Sequence, residues 1–321
     1  YTWDGHRLVL GPAVKFVLSF PWVSRTLDLT SITEYFAFQC ILEDRTLFEK
    51  VSVLPYASIM TLDIQNRELC FKRYWDFDQV PPRREIGFRE AVEQVADLLL
   101  DQVRTQTASN HRYGLYLSGG LDSRLVLGLL PKECYPIHAF TFGLPNSEDH
   151  VYAAEMCRRT GAVHHRFDFV SGRWLEEMAG LHIHLTDGFQ CLLHAHCLPV
   201  APMARDFIDI NLSGYYGETV VGGDKIAKHL IDGREDWLSL ARTLYRQMLF
   251  QHGKAFTTEY ELRQLFTDSV WDSRERRSTW ASMEGALERF KAFRYENVTD
   301  YWHIVHRGRK MIPVSYTHLT L

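Results

Sequence analysis

Apolar and polar positions change rhythm along the 321 residues. Up to about Trp75 the chain reads as short β-type runs broken by turns, at Leu8–Leu10, Leu47–Val53, Ser58–Leu62 and Leu69–Tyr74, with helical spacing only around Ser31–Gln39. From Asp76 to Arg84 two adjacent prolines among charges mark an extended linker or domain boundary. Beyond it, Val92, Val95, Ala96, Leu99 and Val103 recur at helical spacing within Phe88–Val103, one apolar stripe opposite charge. Tyr113–Leu117 predicts a short apolar strand, followed by a glycine pair and by helical character over Arg124–Leu130. The alternation continues with a strand at Ile137–Phe142 and a helix at Glu148–Thr160, with Ser147 as N-cap and Gly161 as its stop. Strands at Val163–Phe169 and Phe207–Leu212 follow, the latter leading into a second glycine-bearing turn at Ser213-Gly214. Helices alternating with short apolar strands predict an α/β unit.

Composition narrows the class without naming a function. Hydrophobic residues at 46% and charged residues at 24% are the balance of a globular protein, not of a disordered or fibrous one. A net charge of −4 argues against binding nucleic acid by phosphate neutralisation. Six cysteines, scattered without close pairs, fit reduced thiols better than a disulfide framework. No run approaches the roughly 18 apolar residues that span a bilayer, and no charged-then-apolar leader opens the chain, so a cytoplasmic protein with no membrane partner is expected. The start at Tyr1 and the stop after Leu321 read as cuts in a longer gene product, and residues 314–321 as a non-native tail of the sequencing-adapter type.

The strongest local signal is Ser118-Gly119-Gly120-Leu121-Asp122-Ser123, where strand gives way to helix. Such a turn aims backbone N–H groups and the next helix's N-terminus at one point, which suits a phosphate. The glycines let the backbone come close, the serine hydroxyls add donors, and Asp122 supplies a hard carboxylate for Mg²⁺. A tight turn with Ser and Asp as caps is the bland alternative. Average residue frequencies make the six-residue string a chance event with probability on the order of 10⁻⁴ or less, which favours the functional reading.

The string resembles the pyrophosphatase loop of the N-type ATP pyrophosphatases, and the longer run Leu115–Leu130 resembles the asparagine synthetase branch. Phe140-Thr141-Phe142-Gly143, Ser147-Glu148-Asp149 and Gly161-Ala162-Val163-His164-His165 follow in the family's order. The resemblance implies a parallel twisted sheet flanked by helices, of the adenine nucleotide alpha hydrolase type, over residues 86–313. It also implies that residues 1–80 are the β-rich end of an Ntn-type class II glutaminase domain, with Gly11–Lys15 and Tyr74-Trp75 matching loosely. Glutaminase chemistry needs a cysteine as first residue of the mature chain, with its α-amino group as base. The chain begins with Tyr1, so any ammonia production is expected to lie in sequence outside it.

Carried over residue by residue, Leu117, Phe142, Ser213 and Gly214 would cradle adenosine, and Ser118, Gly119, Gly120, Asp122 and Ser123 would hold pyrophosphate. The family's third element is matched by Ser213, Gly214, Gly222 and Gly223, with Glu218 standing for an aspartate that binds Mg²⁺. Tyr215 replaces a glutamate tied to aspartyl adenylate formation and is similar to a tyrosine of β-lactam synthetases, where a phenol can join a proton relay. Asp122, Tyr215 and Glu218 are thus the catalytic candidates, Asp122 and Glu218 the Mg²⁺ ligands, and ATP and Mg²⁺ the cofactors. The expected reaction is ATP-dependent amide formation through an acyl-adenylate, between a small carboxylic acid such as aspartate and ammonia or an amine. An intramolecular cyclase of the β-lactam synthetase or lasso-peptide type is one alternative, and a nucleotide-binding homologue without turnover another. A homo-oligomer is compatible with all three. The leaving-group lysine of the family falls beyond the matched region, and His306–Lys310 reads as a solvated basic face. His182/His184 and His194/His196/Cys197 suggest zinc less than pocket or core residues, since ligands two apart point the same way only on a strand.

Overall fold

The computed structural model describes residues 1–76, 79–81, 85–190, 192–214, 217, 237–250 and 259–288. They belong to two compact units. One draws on Tyr1–Pro81, Thr186–Cys191 and the described part of Lys225–Ile312; the other on Pro82–Leu185 and the described part of Leu192–Asp224.

In the first unit, two-residue strands β1 (Thr2–Trp3) and β2 (Leu8–Val9) pair antiparallel ahead of helices α1 (Val14–Leu18) and α2 (Leu29–Phe38). Asp28 caps α2 by accepting the Ser31 N–H at 2.9 Å. Strands β3 (Ser58–Asp63) and β4 (Glu68–Arg73) form an antiparallel hairpin in the register Ser58 to Arg73 and Asp63 to Glu68. The run Leu47–Val53 is not a strand: it makes only the isolated bridges Leu27 to Phe48 and Arg45 to Ser52. Period-2 alternation there has no long partner to form a ladder with. Phe38 and Leu42 share a core with Ala241 and Leu244 of the helix Trp237–Phe250 and with Met283 and Leu287 of the helix Thr279–Glu288. Beneath them Glu34, fully buried, accepts the Leu42 N–H at 2.9 Å and pairs with Arg45.

The second unit is an α/β layer structure, as expected. Helix α3 (Phe88–Gln106) leads to β5 (Tyr113–Tyr116), α4 (Leu121–Leu129), β6 (His138–Gly143), α5 (Glu148–Thr160), β7 (Val163–Asp168), α6 (Arg173–Thr186), α7 (Ala201–Phe207) and β8 (Ile210–Leu212). The four strands are parallel in the order β7-β6-β5-β8. Both faces are covered, as parallel sheets require. Leu115, Leu117 and Ala139 pack with Leu127 of α4 and with Ala153 and Cys157 of α5, while Phe140 packs on the opposite face with Val200, Ala204 and Ile208.

Several sequence expectations meet tertiary context here. Gly161 ends α5 in the left-handed region, its N–H reaching Cys157 O at 2.8 Å, as a C-cap glycine does. Helix α3 forms, yet none of its residues is buried and Val92 is 51% exposed, so its stripe is only partly covered. The strand expected from Phe207 starts at Ile210, because Ala201–Phe207 is helical with proline in its first turn. His182 and His184 lie on a helix, which puts them on different sides: His182 is buried and His184 exposed.

Where β8 joins the sheet, Asp209 clasps Arg112. Its carboxylate accepts the Arg112 backbone N–H at 2.9 Å and the guanidinium at 2.6 Å, while the Asp209 N–H returns to Arg112 O at 2.8 Å. The guanidinium and the Arg112 N–H hold the Asp209 carboxyl down at about 2 from an ordinary 3.8. A depressed acid adds stability that is complete above its unfolded pKa and is lost as pH falls through the folded one. Denaturant unfolding should therefore weaken between pH 3.8 and about 2, and Arg112→Ala should flatten that part of the profile.

Candidate active site

Strand order sets the position of the site. Strands β6 and β7 extend the sheet to one side of β5 and β8 to the other, so the loops that follow β5 and β8 start side by side at the carboxyl ends of adjacent strands, where the crevice of an open α/β sheet usually holds its ligand. Both glycine-bearing turns singled out in the sequence lie there.

The first loop, Leu117–Gly120, is tightly cross-linked. Leu117 is buried, its N–H bonded to Phe140 O at 2.9 Å and its C=O accepting the Thr141 hydroxyl at 2.8 Å. The Ser118 N–H reaches Ser123 Oγ at 3.1 Å, the two hydroxyls lie 3.0 Å apart, and the Gly120 N–H reaches Ser118 Oγ at 3.2 Å. Ser118, Gly120 and Leu121 stay exposed on the outer side, so the turn is not packed under other elements. Gly120 is the N-cap of α4 and offers its first turn no side-chain cap, and Asp122 sits in that turn. Helix amides there favour an anion.

The second loop comes directly onto Asp122. A Cβ added to Gly214 would lie 2.6 Å from the Asp122 backbone carbon, and one added to Gly217 would lie 2.9 Å from the Asp122 carboxyl carbon. Only a residue without Cβ allows that approach. The Gly217 N–H closes the turn on Gly214 O at 2.9 Å. Asp122, Ser118, Gly120, Ser123, Ser213 and Gly214 thus gather at one crevice. Tyr215, Glu218, Gly222, Gly223 and Lys310 lie outside the described residues.

Phe142, next to the last residue of β6, lies on the far face with its ring 5.4 Å from Tyr116 and 5.3 Å from His196. It belongs to an aromatic layer with Phe167 and Phe169, so its packing role is clear and any adenosine contact would be made from this layer. On the opposite face Thr141 has one hydroxyl hydrogen, which goes to Leu117 O, so the 2.9 Å contact with His164 requires the Nε2 hydrogen on His164. Burial lowers the His164 pKa and keeps it neutral. This chain ties β7 to the residue before the loop, and sequence reading missed it because β-strand neighbours are distant in sequence.

Also missed was Asp149, whose Oδ1 accepts the Gly119 N–H at 2.6 Å. Its place two residues after an N-cap serine looked like helix-start chemistry alone. Among the described residues no group of three or more His, Cys, Asp and Glu side chains gathers as a metal cluster, and no helix is long and apolar enough to cross a membrane.

An open parallel sheet flanked by helices, with a serine-glycine loop running from a central strand into a helix N-terminus, defines a doubly wound α/β protein. The family model for asparagine synthase matches residues 94–307, well over half of the chain. The chain belongs to the asparagine synthase family. A Methanocaldococcus jannaschii relative named as a glutamine-hydrolysing asparagine synthetase is 25% identical over 244 residues, 74% of this chain and 46% of its own. Asparagine synthetase B of Escherichia coli is 29% identical over 179 residues, 50% of this chain and 31% of its own. Asparagine synthetase of Bos taurus is 34% identical over 136 residues, covering 39% and 24%. The chain spans less than half the length of these relatives. Among solved structures, the NH3-dependent NAD synthetase of Campylobacter jejuni aligns over 65% of this chain and 97% of its own, at 14% identity and a TM-score of 0.30.

Proposed function

We propose that this chain carries the adenylate-forming half of an ATP-dependent amide ligase of the asparagine synthetase type. The observation that carries the proposal is the meeting of the loops after β5 and β8 on Asp122, beside an uncapped helix N-terminus, in a member of the asparagine synthase family.

In this reading the acceptor's carboxylate attacks the α-phosphorus of ATP, the bond to the bridging oxygen breaks, and pyrophosphate leaves with the electron pair. An amine or ammonia then attacks the acyl-adenylate carbonyl, and AMP departs. The chain's work is positioning and charge neutralisation. First-turn amides of α4 and the Ser118 and Ser123 hydroxyls face the phosphates. Asp122, set against Gly217 at the rim of the exposed loop, has the chemistry of a Mg²⁺ ligand, with Glu218 as its partner from the sequence. Mg²⁺, when bound there, neutralises charge on the phosphate oxygens. Residues 1–80 are assigned in this reading, on the resemblance alone, to the end of a glutaminase-like domain.

Tyr215 motivates a second reading, a cyclase that joins the activated carboxylate to an amine of the same molecule. ATP–pyrophosphate exchange measured against a panel of carboxylic acids separates the cases. Exchange with aspartate supports the synthetase reading, and exchange only with a β-amino acid or a peptide supports cyclisation. MgATP binding with no exchange for any acid would overturn both in favour of a binding protein without turnover.

A further inference from the structure

The backbone amides of the β5–α4 loop are not all turned toward the crevice. The Ser118 N–H is taken by Ser123 Oγ, the Gly120 N–H by Ser118 Oγ, and the Gly119 N–H by the Asp149 carboxylate at 2.6 Å, a short charge-assisted bond from the next helix. Asp149 stands in the first turn of α5, which fixes the position of its carboxylate beside the loop.

The space on that side is closed. A Cβ added to Gly119 would lie 3.0 Å from Asp149 Oδ1, 3.0 Å from the Tyr152 ring and 3.4 Å from Asp149 Cα. Gly119 thus lies close against α5, with Asp149 and the Tyr152 ring filling the space that a side chain would need. A second tie runs beside it: Arg124 donates from Nε to Gly120 O at 3.2 Å and its guanidinium lies 5.4 Å over the Tyr152 ring. The loop is thus clamped to α5 from one side and left exposed on the other.

Resting on the ATP-dependent reading above, we propose that Asp149 is a positioning residue for nucleotide binding. By holding the Gly119 amide it sets the loop so that the α4 first turn and the serine hydroxyls, and not the Gly119 N–H, meet the pyrophosphate. This departs from the family-based expectation for Gly119, whose part becomes steric: its lack of Cβ lets the loop lie down on α5.

The test compares the full chain with Asp149→Ser and Asp149→Asn. Serine keeps a helix-start residue but is too short to reach Gly119, and asparagine retains an acceptor oxygen without the charge. Calorimetry with MgATP gives affinity, amide hydrogen exchange reads Gly119 directly, and thermal midpoints check folding. Asp149→Ser should speed exchange at Gly119 and weaken MgATP by about tenfold, as loss of a charged hydrogen bond does. Asp149→Asn should restore most of both. Unchanged Gly119 protection in Asp149→Ser would overturn the proposal, as would an Asp149→Asn variant that binds as poorly as the serine variant, since charge and not the acceptor would then matter. A wild-type chain that binds no MgATP would sink the functional reading, and Gly119 exchange alone would still decide whether Asp149 holds the loop.

Discussion

Asp122→Ala is expected to abolish ATP–pyrophosphate exchange, a loss of about 10³-fold or more if a metal-held triphosphate accounts for several kcal/mol of transition-state stabilisation. The side chain lies in the first turn of α4 with the second glycine turn resting on it, which in the proposed mechanism is where charge develops on the leaving pyrophosphate. Asp122→Asn separates charge from shape. The amide fills the same volume beside Gly214 and Gly217 but does not match a carboxylate as a Mg²⁺ ligand, so exchange should fall nearly as far while the melting temperature stays at the wild-type value. Exchange retained in Asp122→Ala would remove Asp122 from the metal site and with it the main support for the mechanism.

Stability of the first unit should depend on Arg45 more than on any surface ion pair. Arg45→Ala leaves the Glu34 carboxyl, fully buried, with the Leu42 N–H at 2.9 Å and the Ser282 hydroxyl but no cation, and breaking such a pair costs about 3–5 kcal/mol. Burial already pushes the Glu34 pKa up, against the pull of Arg45. A raised folded pKa contributes stability that is present at low pH and lost as pH rises through it. The deficit of Arg45→Ala should therefore be largest near neutral pH and shrink on acidification, since the buried acid takes up its proton above the ordinary glutamate value of 4.5. Denaturant titrations at several pH values would check this, and a deficit independent of pH would mean that Glu34 is hydrated in the variant.

These two predictions rest on different kinds of legibility. Asp122 stood out in the sequence because its neighbours form a rare string at a strand-to-helix junction, and local backbone chemistry alone explains why glycine, serine and aspartate sit there. Glu34 and Arg45 carried no signal, since eleven positions of separation across a turn match no periodic template. The same contrast runs through the site. Helix α5 follows its predicted bounds because its first-turn acids and C-cap glycine act within a few residues, although Ser147 at the N-cap makes no side-chain cap bond. The strand expected from Phe207 begins three residues later, and Phe207 instead ends helix α7, because a short apolar stretch does not distinguish a buried helix from a buried strand. The Leu47–Val53 run has strand-like composition, yet composition does not supply a pairing partner.

By itself the sequence determined the α/β alternation, the two glycine-bearing turns and the residue types able to face a triphosphate, because each depends on propensities and caps that act within one turn of chain. Only the tertiary structure decided that β8 lies on the opposite side of β5 from β6, which brings Gly214 and Gly217 onto Asp122 from some ninety residues away. It alone decided that Gly119 gives its amide to Asp149 and that His164 reaches the loop through Thr141. Strand order and lateral contacts are set by packing between segments distant along the chain, and no local pattern encodes them.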